Sequence, residues 1–333
     1  MATLKRTGDN DLILKKSKVS KVYLNSEFKK DFGWFLQTIP HEVLVTILTQ
    51  ISNKEKISLA TTCKTVRHIL MPYIFANVKC PWEQLLDEPN WPLDPSIQHL
   101  IESLRITTSC SKNEWTYPFQ KLFSNSEINK LRNLRSLHIN SSGSTSFFKY
   151  CDVAENLKEL SVTTTKERSL FSLEHVRPFK ILECLNVSNF QIDDFVEDGT
   201  LCPKLESLRL NNCSWEYPFE IENFGRNKIR SLSLEYSNSF IISERFRDFL
   251  THPGFTSLES LEITNTETNL KLTISLEIMK LIKNIPTLRV LKLKGNIYNE
   301  NLNNFTKIDV ENCMNYIALD NVKVLYCSFF SKG

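Results

Sequence analysis

Glycine and proline are scarce in this chain, whose 333 residues include 8 glycines and 12 prolines. So little glycine leaves few places for loops that cradle phosphates, and the scarcity of both residues argues against long low-complexity linkers. No stretch approaches the roughly 18 apolar residues that a membrane-spanning helix needs. The first eleven residues have no apolar run and do not resemble a signal peptide. We therefore expect a soluble, intracellular protein.

Motifs for catalysis and metal binding are also missing. The sequence has no H-E-x-x-H, G-x-S-x-G, P-loop or G-x-G-x-x-G pattern, and its six histidines are scattered. Nine cysteines, an odd number without a C-x-x-C pair, favour a reducing compartment over a disulfide framework. Counting does not exclude a cysteine nucleophile, but Cys63 and Cys184 fit core or strand positions better. We expect a protein that is not an enzyme and that needs no metal or cofactor.

The net charge of +3 is too small to indicate nucleic-acid binding. Most of the excess lies in residues 1–30, so we interpret residues 1–33 as a basic, disordered tail. Four lysines in this tail form a weak nuclear-import pattern: Lys15, Lys16, Lys18 and Lys21. A location in the cytoplasm, the nucleus or both fits this pattern.

The pattern L-x-x-L-x-L, with Ile or Val allowed, recurs eight times from residue 101 onward. Its middle position falls at Leu104, Leu137, Leu160, Leu185, Leu208, Leu232, Leu261 and Leu291. Most of the steps lie in or near the 20–29 residues of leucine-rich repeats. One such repeat cannot bury its apolar side alone, whereas stacked parallel strands share a continuous core. The sequence therefore predicts a solenoid with a parallel sheet on its concave side, and return segments that are helical or irregular.

Strand periodicity places the leucines inward and the residues between them on the concave face. Several outward residues are serines, which would leave that face open to a partner. The ninth motif position, often Asn or Cys, is kept at Cys213 and Asn296 but not at Thr165 or Phe190, so we expect irregular repeats. A terminal strand within 317–330 would cover the open end. Charged outward residues are the candidates for binding a target: Arg105, His138, Glu159, Arg209, Glu235, Glu262 and Lys292.

Residues 34–79 predict three short helices. Pro40 suits a first helical position, Glu42 suits a first turn, and apolar residues from Val43 to Ile51 form one stripe. Ser52 and Glu55 have the spacing of a capping box that starts a second helix. A third helix reads from Cys63 to Leu70, limited by Pro72. So small a module is marginal alone, and periodicity does not decide whether it caps the solenoid or binds a partner protein.

This segment resembles an F-box. The family's pattern is matched by Leu36, by Ile39-Pro40 with Glu42, by paired aliphatic residues, by a Leu-x-x-x-Cys-Lys segment and by a final aromatic residue. The tryptophan usual in the third helix is absent, and His68 stands near its place. An F-box followed by leucine-rich repeats resembles the F-box/LRR proteins. The sequence of residues 57–78 resembles fungal sequences.

The resemblance implies a substrate receptor of an SCF ubiquitin ligase. The F-box would bind a Skp-type adaptor and, through it, a cullin, while the repeats hold a target protein for ubiquitination and proteasomal degradation. Two alternatives stay open: an F-box scaffold acting outside a ligase, and a plain repeat module with a helical cap. The implied adaptor-binding residues are Leu36, Ile39, Pro40, Glu42, Val43, Leu44, Ile47, Leu48, Ile51, Leu59, Cys63, Lys64 and Phe75.

The expected organisation has four parts. After the tail, residues 34–79 form the F-box, residues 80–96 form a linker, and residues 97–333 form the leucine-rich-repeat solenoid with a C-terminal cap. The predicted fold class is α/β, with three N-terminal helices followed by an irregular solenoid.

Overall fold

The computed structural model describes the chain in segments: residues 32–81, 95–107, 131–141, 156–165, 169–193, 201–215, 229–236, 257–266, 272–274, 281–282, 284–295, 297–299 and 324–328. The predicted tail and its lysine pattern lie outside these residues, apart from positions 32 and 33. So does Asn296. The chain divides into two compact units, Met1–Leu70 and Met71–Gly333.

The N-terminal unit is helical. Its helices are α1 (Phe32–Thr38), α2 (His41–Gln50), α3 (Asn53–Ala60) and α4 (Lys64–Phe75), and the division between the two units falls inside α4. The sequence predicts three helices here, and α1 is the one it misses. Only Gly33 and Leu36 of its seven residues are buried, and a helix this short is too small a window for its periodicity to be recognised in the sequence.

Local side-chain chemistry fixes where the helices begin. Pro40 was predicted at the first helical position, but it is the N-cap of α2, and the helix begins one residue later at His41. Glu42 lies in the first turn, as predicted. The capping box is confirmed: the backbone N–H of Ser52 donates to a Glu55 carboxylate oxygen 2.6 Å away, and the N–H of Glu55 donates to Ser52 Oγ at 3.3 Å. The thiol of Cys63 caps α4 by accepting from the N–H of Val66 at 3.4 Å.

The expectation that Pro72 limits the last helix is wrong, because α4 continues through it to Phe75. A proline inside a helix removes one backbone donor and crowds the carbonyl four residues earlier. Pro72 is exposed on this helix, while Val66 and Leu70 are fully buried. Burial of one apolar face thus outweighs the local cost of the proline.

The second unit is built on a parallel sheet of ten strands, which confirms the predicted fold class of helices followed by a solenoid. In spatial order the strands are β1 (Asn77–Pro81), β2 (Ser103–Thr107), β3 (Ser136–Ser141), β4 (Glu159–Thr164), β6 (Cys184–Ser188), β8 (Ser207–Asn211), β10 (Ser231–Tyr236), β11 (Ser260–Asn265), β13 (Val290–Gly295) and β15 (Val324–Ser328). A short helix, α5 (Pro95–Gln98), precedes β2. The terminal strand predicted within 317–330 is β15.

The repeat motif sets the register of this sheet. Leu208 pairs with Leu185 on one side and with Leu232 on the other, and the other middle leucines pair in the same way. All three apolar positions of all eight motifs are buried. The core of this unit is therefore the stack of leucine positions that the sequence predicts.

A repeated backbone contact joins the turns where the strands begin. The carbonyl of the second motif residue accepts two N–H groups from the next turn: Glu183 O, for example, accepts from Glu206 N and Ser207 N, each at 2.9 Å. The same arrangement recurs at each step from Ala76 to Val290. Because each carbonyl oxygen has two lone pairs, it can accept both N–H groups at each of these steps.

The first strand, β1, lies across the predicted boundary between F-box and linker at residues 79 and 80. Its N–H and C=O partners are those of a true repeat, since Ala76 O accepts from Glu102 N at 2.9 Å and Cys80 is 2% exposed. Phe75, Val78 and Cys80 stand at the three motif positions in which the later repeats have Leu, Ile or Val. Because this first repeat is degenerate, the leucine pattern is recognisable only from Ile101 onward.

Some return segments are strands, where the sequence predicts helix or irregular turns. A second parallel sheet joins β5 (Ser169–Ser172), β7 (Phe190–Asp193) and β9 (Ser214–Trp215), and β12 (Leu272–Ile274) pairs with β14 (Ile297–Asn299). One 3-10 helix, Leu173–Val176, fits the prediction. Phe190, at the ninth position of its motif, is 1% exposed and lies edge-on to Phe171 with ring centroids 5.6 Å apart. Here an aromatic pair replaces the usual Asn or Cys.

Candidate functional surfaces

The apolar stripe of α2 divides into two rows. Leu44 and Leu48 are 6% and 3% exposed and belong to the core of the helical unit. Val43 and Ile47 are 46% and 41% exposed. The two rows are one residue apart, about 100° around the helix, so they face different surroundings. Val43 and Ile47, called the outer row below, are the part of the stripe that a partner protein can reach.

Aromatic side chains extend the exposed apolar area of the helical unit. In α1, Phe32, Trp34 and Phe35 are 49%, 40% and 45% exposed, and the rings of Phe32 and Phe35 stack with centroids 6.1 Å apart. Of the seven large apolar residues that are exposed in the described part of the chain, only Leu170 lies outside this unit. These aromatic residues of α1 are not among the residues predicted to bind an adaptor, although they cluster just before Leu36 in the sequence.

The predicted adaptor-binding residues fall into three groups. Leu36, Leu44 and Leu48 are buried and hold the helices together. Residues on the surface are Pro40, Glu42, Val43, Ile47 and Lys64, and residues that are half-buried are Ile39, Ile51, Leu59, Cys63 and Phe75. Contact of any of them with an adaptor stays a prediction.

The third, fifth and seventh motif positions form the polar face of the main sheet. In the described strands each such residue alternates with a buried one, as in β2, where Leu104 and Ile106 are buried and Arg105 is exposed. All seven predicted target-binding residues lie on this face, and none is buried. Glu262 and Lys292 are direct neighbours on β11 and β13. Arg105 and His138 are direct neighbours on β2 and β3.

A hydrogen-bonded chain crosses the polar face at β3 and β4. Ser136 Oγ donates to a Glu159 carboxylate oxygen at 2.9 Å, and it lies 2.9 Å from Nε2 of His138. Because the single hydroxyl proton of Ser136 is used in the hydrogen bond to Glu159, His138 Nε2 must be the donor in its hydrogen bond to Ser136 Oγ. This polarity is opposite to that of an activated serine nucleophile, in which the imidazole accepts the hydroxyl proton. Burial, with a contribution from the Arg105 charge, lowers the pKa of His138 against the opposing effect of Glu159.

Glu262 is held between lysines at the other end of the face. Its carboxylate lies 2.7 Å from Lys294 Nζ and 3.7 Å from Lys292 Nζ. Burial alone would raise the pKa of this carboxyl group, but the Lys294 hydrogen bond and the charges of Lys294, Lys292 and Arg209 lower it. Glu262 is therefore a structural ion-pair partner for these lysines.

The described cysteines are free thiols. Burial raises the pKa of Cys202 and of Cys213 to about 12, and the Cys213 thiol donates to Val187 O at 3.3 Å. Cys184 is exposed on the polar face, but burial of its sulfur and the charge of Glu159 raise its pKa as well. A raised pKa disfavours the thiolate, which is the nucleophilic form.

Within the described ranges, no helix is long and apolar enough to cross a membrane. The same part of the chain brings together no group of three or more His, Cys, Asp or Glu side chains that could hold a metal ion.

Comparisons with known proteins give structural likeness alone. No family model and no curated protein matches the sequence. A solved structure of internalin InlF from Listeria monocytogenes is similar over 72% of this chain, with 16% identity and a TM-score of 0.42, and the match spans 56% of the internalin. Internalin C2 of the same organism is similar over 71% of this chain and 84% of its own, with 15% identity and a TM-score of 0.37. The assignment to a leucine-rich-repeat type of solenoid rests on the strand register and burial of the chain itself.

Proposed function

We propose that this chain is a non-catalytic substrate receptor of an SCF-type ubiquitin ligase. Its helical unit would bind a Skp-type adaptor, and the polar face of its sheet would hold a target protein for ubiquitination. The observation that carries this proposal is the outer row of α2. Val43 and Ile47 stay on the surface immediately after the Ile39-Pro40 step, in a sequence that resembles an F-box.

Exposed apolar side chains of the helical unit raise the free energy of the unbound protein in water. Burying an exposed aliphatic side chain contributes roughly 25 cal/mol per Å² of apolar area removed from water. Together with Phe32, Trp34 and Phe35, the outer row offers several such side chains within one small unit. Exposed apolar residues grouped in this way are typical of protein-binding surfaces. A tethered target then meets the ligase at raised effective concentration, so the receptor needs no nucleophile of its own.

Adaptor binding is tested with two matched variants of the full chain. Val43→Asp with Ile47→Asp places two charges in the outer row, and Thr46→Asp with Thr49→Asp places two charges at exposed polar positions of the same helix. We expect the first variant to lose co-purification with a Skp-type adaptor at least tenfold and the second to keep it. Leu44→Asp is a poorer test, because a charge at that buried position would unfold the unit.

Retention of adaptor by the Val43/Ile47 variant, with both variants folded by circular dichroism, contradicts the F-box assignment. Failure of the unmodified chain to bind any such adaptor favours the plain repeat module with a helical cap. A receptor and a scaffold outside a ligase differ in a further result. Deletion of the protein should make a bound target accumulate only if the chain is a receptor.

A further inference from the structure

We propose that the β1–β3 end of the polar face binds an Asp/Glu-rich segment of a partner protein, through a basic row made of Lys79, Arg105 and His138. The inference rests on the proposed function in one respect, namely that the segment would belong to the receptor's target. The geometry of the row, its lack of counter-charges among the described residues and the chemistry around it support the proposal separately.

The basic row is built by strand register. Lys79 pairs with Arg105, and Arg105 pairs with His138, so the three side chains occupy the fifth motif position of three adjacent strands. Lys79 and Arg105 are exposed and His138 is half-buried. Neighbouring strands lie roughly 4.8 Å apart, which makes the row about 10 Å long. An extended peptide at about 3.3 Å per residue covers that length with three or four residues.

Like charges directly opposite each other on neighbouring strands are destabilising. Two cations elsewhere in the described chain have carboxylate partners: Lys158 lies 2.6 Å from Glu183, and Lys294 lies 2.7 Å from Glu262. No ion pair within the described residues involves Lys79 or Arg105. Among the described residues these two facing cations therefore have no carboxylate partner, and a bound anion would offset their mutual repulsion.

The surroundings of the row specify the anion further. The third motif positions on these strands are Asn77, Ser103 and Ser136, which are small or neutral, so no acid of β1–β3 competes on the polar face. On the adjacent strand β4, Glu159 accepts a hydrogen bond from the Ser136 hydroxyl. The planar guanidinium of Arg105 can donate two parallel hydrogen bonds to one carboxylate. A short run of Asp or Glu therefore complements the row in charge and in length.

The experiment uses the full chain and short fluorescent peptides that contain a run of glutamates, the same run as glutamines, or a phosphoserine in its place. Lys79→Gln with Arg105→Gln removes the two unpaired cations of the row. Arg230→Gln with Arg289→Gln removes two exposed cations that precede strands β10 and β13, and serves as the control of equal net charge. Fluorescence anisotropy at low and moderate salt gives the affinities.

We expect the glutamate peptide to bind better than the glutamine peptide, to weaken with salt, and to lose about tenfold in affinity with the Lys79/Arg105 variant alone. Four results overturn the proposal: no binding of the glutamate peptide, equal binding of the glutamine peptide, an equal loss with the control variant, or binding of the phosphoserine peptide only. Adaptor co-purification is measured on the same proteins. It depends on Val43 and Ile47, so its loss bears on the proposed function and not on the basic row.

Discussion

The side-chain amide of Asn212 donates a hydrogen bond to the side-chain oxygen of Asn189 on the preceding turn, with 2.9 Å between the two atoms. Asn189 in turn donates to Thr164 O, also at 2.9 Å. Both asparagines have positive φ angles, 65° for Asn189 and 49° for Asn212. They stand at the eighth motif position, one residue before the position that usually carries Asn or Cys. The polar ladder therefore runs beside the ninth position, which is kept at Cys213 and not at Phe190.

This ladder predicts different costs for two substitutions of Asn189. Asn189→Ala removes the hydrogen bonds and keeps a Cβ in a left-handed conformation, so we expect a loss of about 2–3 kcal/mol. Asn189→Gly loses the same bonds but tolerates the conformation, and its loss should be about 1 kcal/mol smaller. Urea unfolding of both variants measures the difference. Equal losses would show that the positive φ contributes nothing to the choice of Asn.

The core of the solenoid predicts a sharp contrast within β8. Leu208 is 1% exposed, whereas its neighbour Arg209 is exposed on the polar face. Leu208→Ala should lower the free energy of unfolding by about 2–5 kcal/mol, through lost apolar burial and a residual cavity. Arg209→Ala should change it by less than about 0.5 kcal/mol. If the two variants unfold at similar urea concentrations, the assigned strand register is wrong.

These residues show why the sequence predicted the main sheet well. Leu208 and its counterparts recur at nearly constant spacing, and each repeat depends on its neighbours for burial, so periodicity alone determines which residues face inward. Strand β1 was not predicted because its three motif positions carry Phe75, Val78 and Cys80, and none of these is a leucine. The strands in the return segments were not predicted because they depend on contacts between turns, such as that of Phe171 with Phe190, which a local sequence pattern does not indicate.

Most helices of the N-terminal unit were also predicted from periodicity. Which of their apolar residues are exposed was not predicted. The apolar stripe from Val43 to Ile51 contains both buried and exposed residues, and the sequence pattern does not distinguish them. Adjacent residues such as Val43 and Leu44 differ by only 100° around the helix axis, so packing decides which of them is buried. The basic row was equally hidden. Lys79 and Arg105 are 26 positions apart in the sequence, and only strand pairing brings them side by side.

The capping box of α3 predicts a pH-dependent contribution to stability. Hydrogen bonds from the Ser52 side chain and backbone lower the pKa of Glu55, which in the unfolded chain is near 4.5. A carboxyl group with a lowered pKa stabilises the folded state above its unfolded pKa, and this contribution is lost as the pH falls through the folded pKa. The unmodified chain should therefore exceed Glu55→Gln in stability at pH 7, and the difference should vanish on acidification.

Thermal unfolding of the two proteins from pH 7 down to pH 3 tests this expectation. Ser52→Ala supplies a second comparison and should cost about 1 kcal/mol at neutral pH, through loss of the N-cap. A stability difference between the unmodified chain and Glu55→Gln that stays constant over this range would show that the carboxylate does not take part in the cap.

The lowered pKa of His138 predicts a second pH dependence of folding stability, at higher pH than that of Glu55. Burial and the Arg105 charge lower its pKa below the usual 6.5, and Glu159 on β4 opposes them. The unfolded chain then binds a proton more readily than the folded chain, so the folded state should lose stability as the pH falls from about 6.5 towards the folded pKa. His138→Gln removes this dependence, which pH-resolved urea unfolding detects. If the imidazole titrates by NMR at or above its ordinary pKa, the prediction fails. Addition of the glutamate peptide should raise the pKa of His138, because a bound carboxylate beside Arg105 stabilises the protonated ring.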